Sequence, residues 1–214
     1  AKKIINLISK YKEIRGNNLL EIACGTGEHL KYLKKKYNCV GIDVNQGMLD
    51  LAKKKVKGVQ FKKENMIHFK LNKKFDIITC LFSSIGYVKT KDNLKKTVNN
   101  FAKHLKKGGL LLIEPWFTKQ AYRPGFPHMT TYQDDNVKIA RCVVSEAKRN
   151  VSIMDMHYLV AEKNKKVKHF IDRHELGMFD TDEIFEIMKD AGFKVKYFKQ
   201  GFMKERGLFV GIKK

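Results

Sequence analysis

Leu19-Leu20-Glu21-Ile22-Ala23-Cys24-Gly25-Thr26-Gly27 decides how this chain is read. An apolar run carrying one acid enters a short glycine turn, and Glu28-His29-Leu30-Lys31-Tyr32-Leu33 then reads as a helix. Strand, tight turn and helix N-terminus form the layout that holds a nucleotide-like ligand at the end of a parallel strand. The glycines let the backbone approach a ligand closely, because no Cβ intervenes. The spacing is not the six-residue dinucleotide pattern, and without a Lys-Ser/Thr pair it is not a phosphate loop. Taken alone, Gly25-x-Gly27 also fits a plain strand-to-helix turn.

The next stretch narrows this. Asn38-Cys39-Val40-Gly41-Ile42-Asp43 is a second apolar strand ending in an acid. An acid there accepts hydrogen bonds from both ribose hydroxyls of an adenosine. Met48-Leu49-Asp50-Leu51-Ala52 follows as an amphipathic helix.

With these residues the chain resembles the class I S-adenosylmethionine (SAM) methyltransferases. Phe82-Ser83-Ser84-Ile85-Gly86-Tyr87, Glu114-Pro115-Trp116, Val167-Lys168-His169-Phe170 and Arg206-Gly207-Leu208-Phe209-Val210-Gly211 extend the resemblance. They are similar to the N-methyltransferases acting on nucleotide-linked (dTDP) amino sugars. The resemblance runs from about Leu19 to the C-terminus. It implies an α/β fold: a Rossmann-like seven-strand class I methyltransferase sheet with an inserted antiparallel β-layer. It also implies methyl transfer from SAM to a sugar amine, with S-adenosylhomocysteine as the second product.

The resemblance assigns site residues. Ala23, Gly25 and Gly27 give backbone access to the methionine part of SAM, and Glu21 holds its ammonium or instead caps local backbone groups. Asp43 takes the ribose diol, and Met48 follows where adenine lies. Asn65-Met66 stands where relatives have Asp-Met; Asn65 still offers an amide oxygen to the adenine amino group, and Met66 fills against the ring. Leu81 packs near the methyl donor. Ser84, Tyr87, Trp116, Arg141, Arg173 and Arg206 are the substrate candidates, Arg206 as a phosphate contact. His157, His169 and His174 are candidate proton acceptors, with no reason in the sequence to choose among them. Alternatives stay open for each: a surface acid, a core methionine, a solvated strand face, a hairpin arginine.

Competing chemistries lack their marks. The end of the fourth strand, Leu81-Phe82-Ser83-Ser84-Ile85, carries no proline, against adenine methylation on nucleic acid. Glu114 is followed by Pro115 and Trp116 rather than further acids, so no metal site is expected. A dehydrogenase would need a pyrophosphate cradle where Glu28 would repel it.

At 214 residues one domain spanning 1–214 is expected, with its β insertion at about 115–178. The net charge of +22 raises a nucleic-acid reading. Its lysines are spread over helix ends and loops throughout, without an aromatic-rich basic stripe, which favours a solvated surface or a small anionic substrate. No apolar run approaches a membrane span. Cys24, Cys39, Cys80 and Cys142 lack metal or framework spacing and read as small buried apolar residues of a reducing cytoplasm. A homodimer through the inserted layer is a further expectation. The chain opens with Ala1 inside a helical pattern, so an upstream piece is expected, and relatives carry there a tyrosine-bearing segment that folds over the site.

In order, the sequence predicts a helix over 2–15 and strands at 18–23, 38–42, 59–61 and 75–81. A helix over 93–105 and a strand over 110–114 follow. Three antiparallel strands (137–145, 151–160, 167–176), a helix capped at Asp180 or Thr181 and ended by Gly192, and a terminal hairpin (193–198, 207–212) complete it.

Overall fold

Phe75-Asp76-Ile77-Ile78-Thr79-Cys80 is buried at every position, as a strand covered on both faces must be. It forms β4, at the centre of a sheet built from β1 (Asn18–Ile22), β2 (Asn38–Asp43), β3 (Gln60–Lys63), β4 (Phe75–Cys80), β5 (Leu105–Ile113), β10 (Phe193–Phe198) and β11 (Leu208–Lys213). This is a computed structural model describing residues 1–203 and 205–214. The strand order is β10-β11-β5-β4-β1-β2-β3. β1 to β5 run parallel, while β11 pairs antiparallel with β5 and β10 antiparallel with β11. The chain winds outward from β1 to β3 and then crosses back to β4 on the other side of β1. That reversal opens a crevice at the strand C-termini, where such sheets bind ligands.

Alternation along the strands sorts two cores. Leu20, Ile22, Ile78 and Cys80 face α4 (Lys91–His104) and α5 (Thr181–Asp190). Leu19 and Ile77 face α1 (Lys2–Tyr11), α2 (Leu30–Leu33) and α3 (Gln46–Lys55). Ile4 and Ile8, one helical turn apart, are the buried residues of α1.

Residues 127–177 form a second, four-stranded antiparallel sheet: β6 (Pro127–Gln133), β7 (Val137–Lys148), β8 (Val151–Glu162) and β9 (Lys168–Gly177), in that order. Trp116 leaves β5 and donates from Nε1 to Ser152 Oγ at 2.9 Å; Ser152 in turn donates to the Leu176 carbonyl at 3.3 Å. Ser152 is fully buried. This tie seats the meander on the first sheet.

Several bounds differ from expectation. α1 stops at Tyr11 because Glu13 N–H donates to the Gly108 carbonyl instead of continuing the helix. Ile14 then lies against Gly108, whose φ of +71° leaves no room for a side chain. The helix after the glycine turn starts at Leu30, since Glu28 and His29 are still in the turn. β5 begins at Leu105 and contains a register shift, so Lys107-Gly108-Gly109 bulges a strand rather than preceding one. The inserted sheet has four strands, not three. β6 is an edge strand, exposed throughout and begun by a proline, so it carries no apolar alternation to read. Asp180 does stand at the N-cap of α5, without a side-chain capping bond.

Candidate functional site

Ala23 closes β1 with a left-handed φ of +52°, and Gly25 and Gly27 follow at +52° and +77°. Three such residues in five bend the chain back over the sheet end. Asp43, at the end of β2, fixes this bend. Its Oδ2 accepts from Gly25 N–H at 2.8 Å and its Oδ1 from Asn45 N–H at 2.9 Å. Each oxygen keeps a lone pair for a further donor. Asn45 caps α3 by accepting from Met48 N–H at 3.1 Å.

These groups border a cavity of about 460 Å³ at the crevice. Ala23, Gly25, Asp43, Met48, Asn65 and Met66 line it from the parallel sheet. Ser84 and Tyr87 line it from a short 3₁₀ turn, Ser84–Val88, and Asp172, Arg173 and His174 from β9. Gly27 stands behind the loop against Phe61 and Val56, and Leu81 is buried in the core below. Asn65 Oδ1 accepts from Ile67 N–H at 2.9 Å and retains its second lone pair.

Glu21 lies under the loop and is 2% exposed. Its Oε1 meets His29 Nδ1 at 2.7 Å, so its partner is a side chain rather than backbone. Its Oε2 is buried with no partner among the described residues. Burial pushes the Glu21 carboxyl above its ordinary range, partly offset by His29. The bond to Glu21 raises the His29 imidazole in turn, against its own burial.

SAM needs a cation acceptor, a diol acceptor, polar backbone and apolar walls. The orphaned Glu21 oxygen, the spare lone pairs of Asp43, the half-buried Gly25 turn and Met48 with Met66 supply these. The residues fit the group.

The three histidines separate cleanly. His174 faces the cavity. His157 and His169 stack on the opposite face of the second sheet, with ring nitrogens 3.2 Å apart. Arg173 reaches the cavity rim, but its guanidinium binds Asp155 at 2.9 Å and Glu175 at 3.0 Å. Arg141 sits on the cavity-side face of β7, between Thr130 and Tyr158, away from the cavity lining.

Trp116 and Arg206 line a neighbouring pocket of about 170 Å³. The Arg206 guanidinium lies 4.2 Å from the Trp116 ring centre and 4.9 Å from that of Phe117. Its Nη1 donates to Ser83 Oγ at 2.9 Å, and its Nε is buried without a partner among the described residues. Burial weakens its hold on its proton, with Glu114 opposing.

Glu114 organises this corner and escaped the sequence reading as a site residue. It is 1% exposed. Oε2 accepts from Phe82 N–H at 2.8 Å; Oε1 accepts from Phe202 and Met203 N–H at 3.0 and 2.8 Å. Phe82 and Ser83 are both left-handed, so the carboxylate pins a strained turn. Asp172, two residues before His174 on β9, shares its face.

Comparison with known proteins decides the lineage. A family profile described as a methyltransferase domain matches residues 19–109. The dTDP-3-amino-3,4,6-trideoxy-alpha-D-glucopyranose N,N-dimethyltransferase of Streptomyces venezuelae is 34% identical over 213 residues, 99% of this chain and 89% of that protein. The chain belongs to the SAM-dependent sugar N-methyltransferase family. Members share its architecture closely. Streptomyces venezuelae DesVI superposes with a TM-score of 0.93 at 32% identity, over 100% of this chain and 90% of that one. SAM-bound CalS10, an amino pentose methyltransferase from Micromonospora echinaspora, superposes at 0.88 with 26% identity, over 100% and 89%. As a family member this chain is a methyltransferase and SAM is its cofactor. No helix among the described residues is long and apolar enough to cross a membrane.

Proposed function

We propose that this enzyme methylates the amine of a dTDP-linked amino sugar. The observation that carries the reading is the pairing of the cavity at the crevice with a half-buried, unpaired arginine beside it. Arg206 has no carboxylate within ion-pair distance among the described residues and rests on Trp116, which suits a diphosphate. The named relative acts on a sugar of this class.

SAM supplies an electrophilic methyl group on a sulfonium. The chain's part is alignment. Asp43 orients the ribose diol, Glu21 the ammonium, Asn65 the adenine edge, and Met48 with Met66 flanks the ring. Ala23, Gly25 and Gly27 shape the methionine seat, and Leu81 supports it from below. Ser84, Tyr87 and Trp116 border the acceptor, with Arg206 on its phosphates and Arg141 and Arg173 further along the second sheet. Holding nitrogen, methyl and sulfur in line converts a bimolecular step into an effectively unimolecular one. His174, the histidine facing the cavity, is the proton acceptor.

The same geometry supports a reading of its partners. A small anionic sugar nucleotide suits Arg206 beside the cavity, and the lysines are dispersed rather than gathered into a nucleic-acid track. A second copy of this chain is proposed to cover the outer face of the second sheet, where Met129, Val144, Leu159 and Ile171 are each more than half exposed. Cys24, Cys39 and Cys80 are buried, whereas Cys142, expected to be buried, is exposed on β7; four free cysteines suit a reducing cytoplasm.

Transfer of label from SAM to a panel of dTDP-amino sugars, beside a bulk RNA control, tests the assignment. Transfer to a sugar amine is expected. Transfer to RNA alone, with the steep salt dependence of phosphate contacts, would overturn the substrate while leaving the methyltransferase intact.

A further inference from the structure

Tyr87, His174 and Asp172 form a chain across the cavity wall. Tyr87 Oη and His174 Nδ1 are 2.5 Å apart, and His174 Nε2 and Asp172 Oδ2 are 3.0 Å apart. All three line the cavity bordered by Asp43 and Gly25. They come from two elements: Tyr87 from the turn after β4, the others from β9. Gly86 lets these elements meet, since a Cβ there would lie 2.9 Å from Leu176. Lys89 and Glu175, 2.6 Å apart, pin the same junction.

We infer that Tyr87, His174 and Asp172 are a proton relay that converts the incoming sugar ammonium to the free amine before methyl transfer. This rests on the proposed function and adds what that reading lacks. An alkyl amine is largely protonated near neutral pH, and an ammonium has no lone pair with which to attack. In the relay, one ammonium proton passes to Tyr87 Oη while the phenol proton passes to His174 Nδ1. The imidazolium so formed keeps its Nε2–H on Asp172. The freed lone pair then forms the C–N bond as the S–CH3 bond breaks, with that electron pair leaving on sulfur. The half-exposed Asp172 carboxylate gives His174 a route for returning its proton to water.

The charges around the relay agree with this direction. Asp43 and Glu64 line the same cavity, so anions face Tyr87 from β2 and from the loop after β3. Arg173 and Lys89 are neutralised by Asp155 and Glu175. Burial, with Asp172 and Asp43, pushes the Tyr87 phenol above its ordinary value, so it relays as a neutral hydroxyl. Asp172 fixes the tautomer that leaves Nδ1 open as acceptor.

The test is the pH profile of kcat/KM for dTDP-amino sugar at saturating SAM, in wild type, Tyr87→Phe and His174→Gln. General acid–base groups contribute about 10²-fold or more. Both variants are expected to lose on that order near neutral pH. They should recover to within a few-fold of wild type at alkaline pH, where solution already supplies free amine. A loss equal at every pH, or no loss in Tyr87→Phe, would overturn the relay. His174 imidazole nitrogen spectra, taken without substrate, separate this from failure of the substrate assignment. An unprotonated Nδ1 whose titration shifts in Tyr87→Phe supports the relay even if no sugar is methylated, whereas a proton on Nδ1 in neutral wild type overturns it.

Discussion

Arg206 is held over Trp116 at 4.2 Å while its Nη1 donates to Ser83 Oγ, three residues beyond the end of β4. The stacking and the bonds from Nη1 to Ser83 Oγ and to the Met203 sulfur at 3.2 Å fix the plane of the guanidinium and leave its charge for an incoming anion. Lysine would keep the charge and lose both the plane and the fork. Arg206→Lys is expected to raise the KM for the sugar nucleotide about 10-fold or more, the scale of one lost charged hydrogen bond. SAM affinity, read by calorimetry, should stay unchanged. A parallel loss of both would place Arg206 in the scaffold instead.

Asp43→Asn separates cofactor from substrate. The amide cannot accept at both positions that now meet Gly25 and Asn45 N–H, and it brings a donor among donors. SAM affinity should fall about 10-fold or more, as expected for a lost bond to a charged group. Affinity for the sugar nucleotide alone should hold.

Glu114→Gln tests the buried node. Only one amide oxygen remains for three backbone N–H groups. Leaving buried donors unmet costs about 1–3 kcal/mol. For a chain of this length each kcal/mol lowers Tm by about 2–4 °C. Thermal unfolding checks this, and the sugar KM should rise too, because Met203 and Phe202 precede Arg206.

The Glu21–His29 pair predicts a pH dependence of stability. Both groups have folded-state values raised above their ordinary ones. Between the ordinary and the raised value the native state binds more protons than the unfolded state, so stability falls as pH rises. The contribution is full below the unfolded values and is lost upward, from above 4.5 for Glu21 and from above 6.5 for His29. Denaturant midpoints across that range should decline in wild type. The decline should be shallower in His29→Gln above neutrality.

The parallel sheet was legible because its signals are local. Apolar runs of strand length, an acid at the end of β2 and glycines between β1 and α2 belong to single short stretches. The loop residues from Ala23 to Asp43 meet as their order implied. The second sheet was legible only where a strand alternates, so β6, exposed along its whole length, went unread. Glu114 and Ser83 were illegible for another reason. Their roles depend on contacts with residues 202–206, far along the chain, and nothing near either marks those partners. The histidines illustrate strand parity. His157 and His169 project to one face and His174 to the other, a distinction that needed the register.

The tie from Trp116 through Ser152 to Leu176 lets two inheritances be handled separately. One sheet carries the parts that every SAM user must keep. The other is a meander of hairpins, joined to the first near one end. Acceptor preference in such a molecule is open to change by exchanging the meander between relatives. A hybrid that keeps Trp116, Ser152, the bulk of Leu176 and the relay residues Asp172 and His174 should retain its grip on the donor while taking up a different sugar.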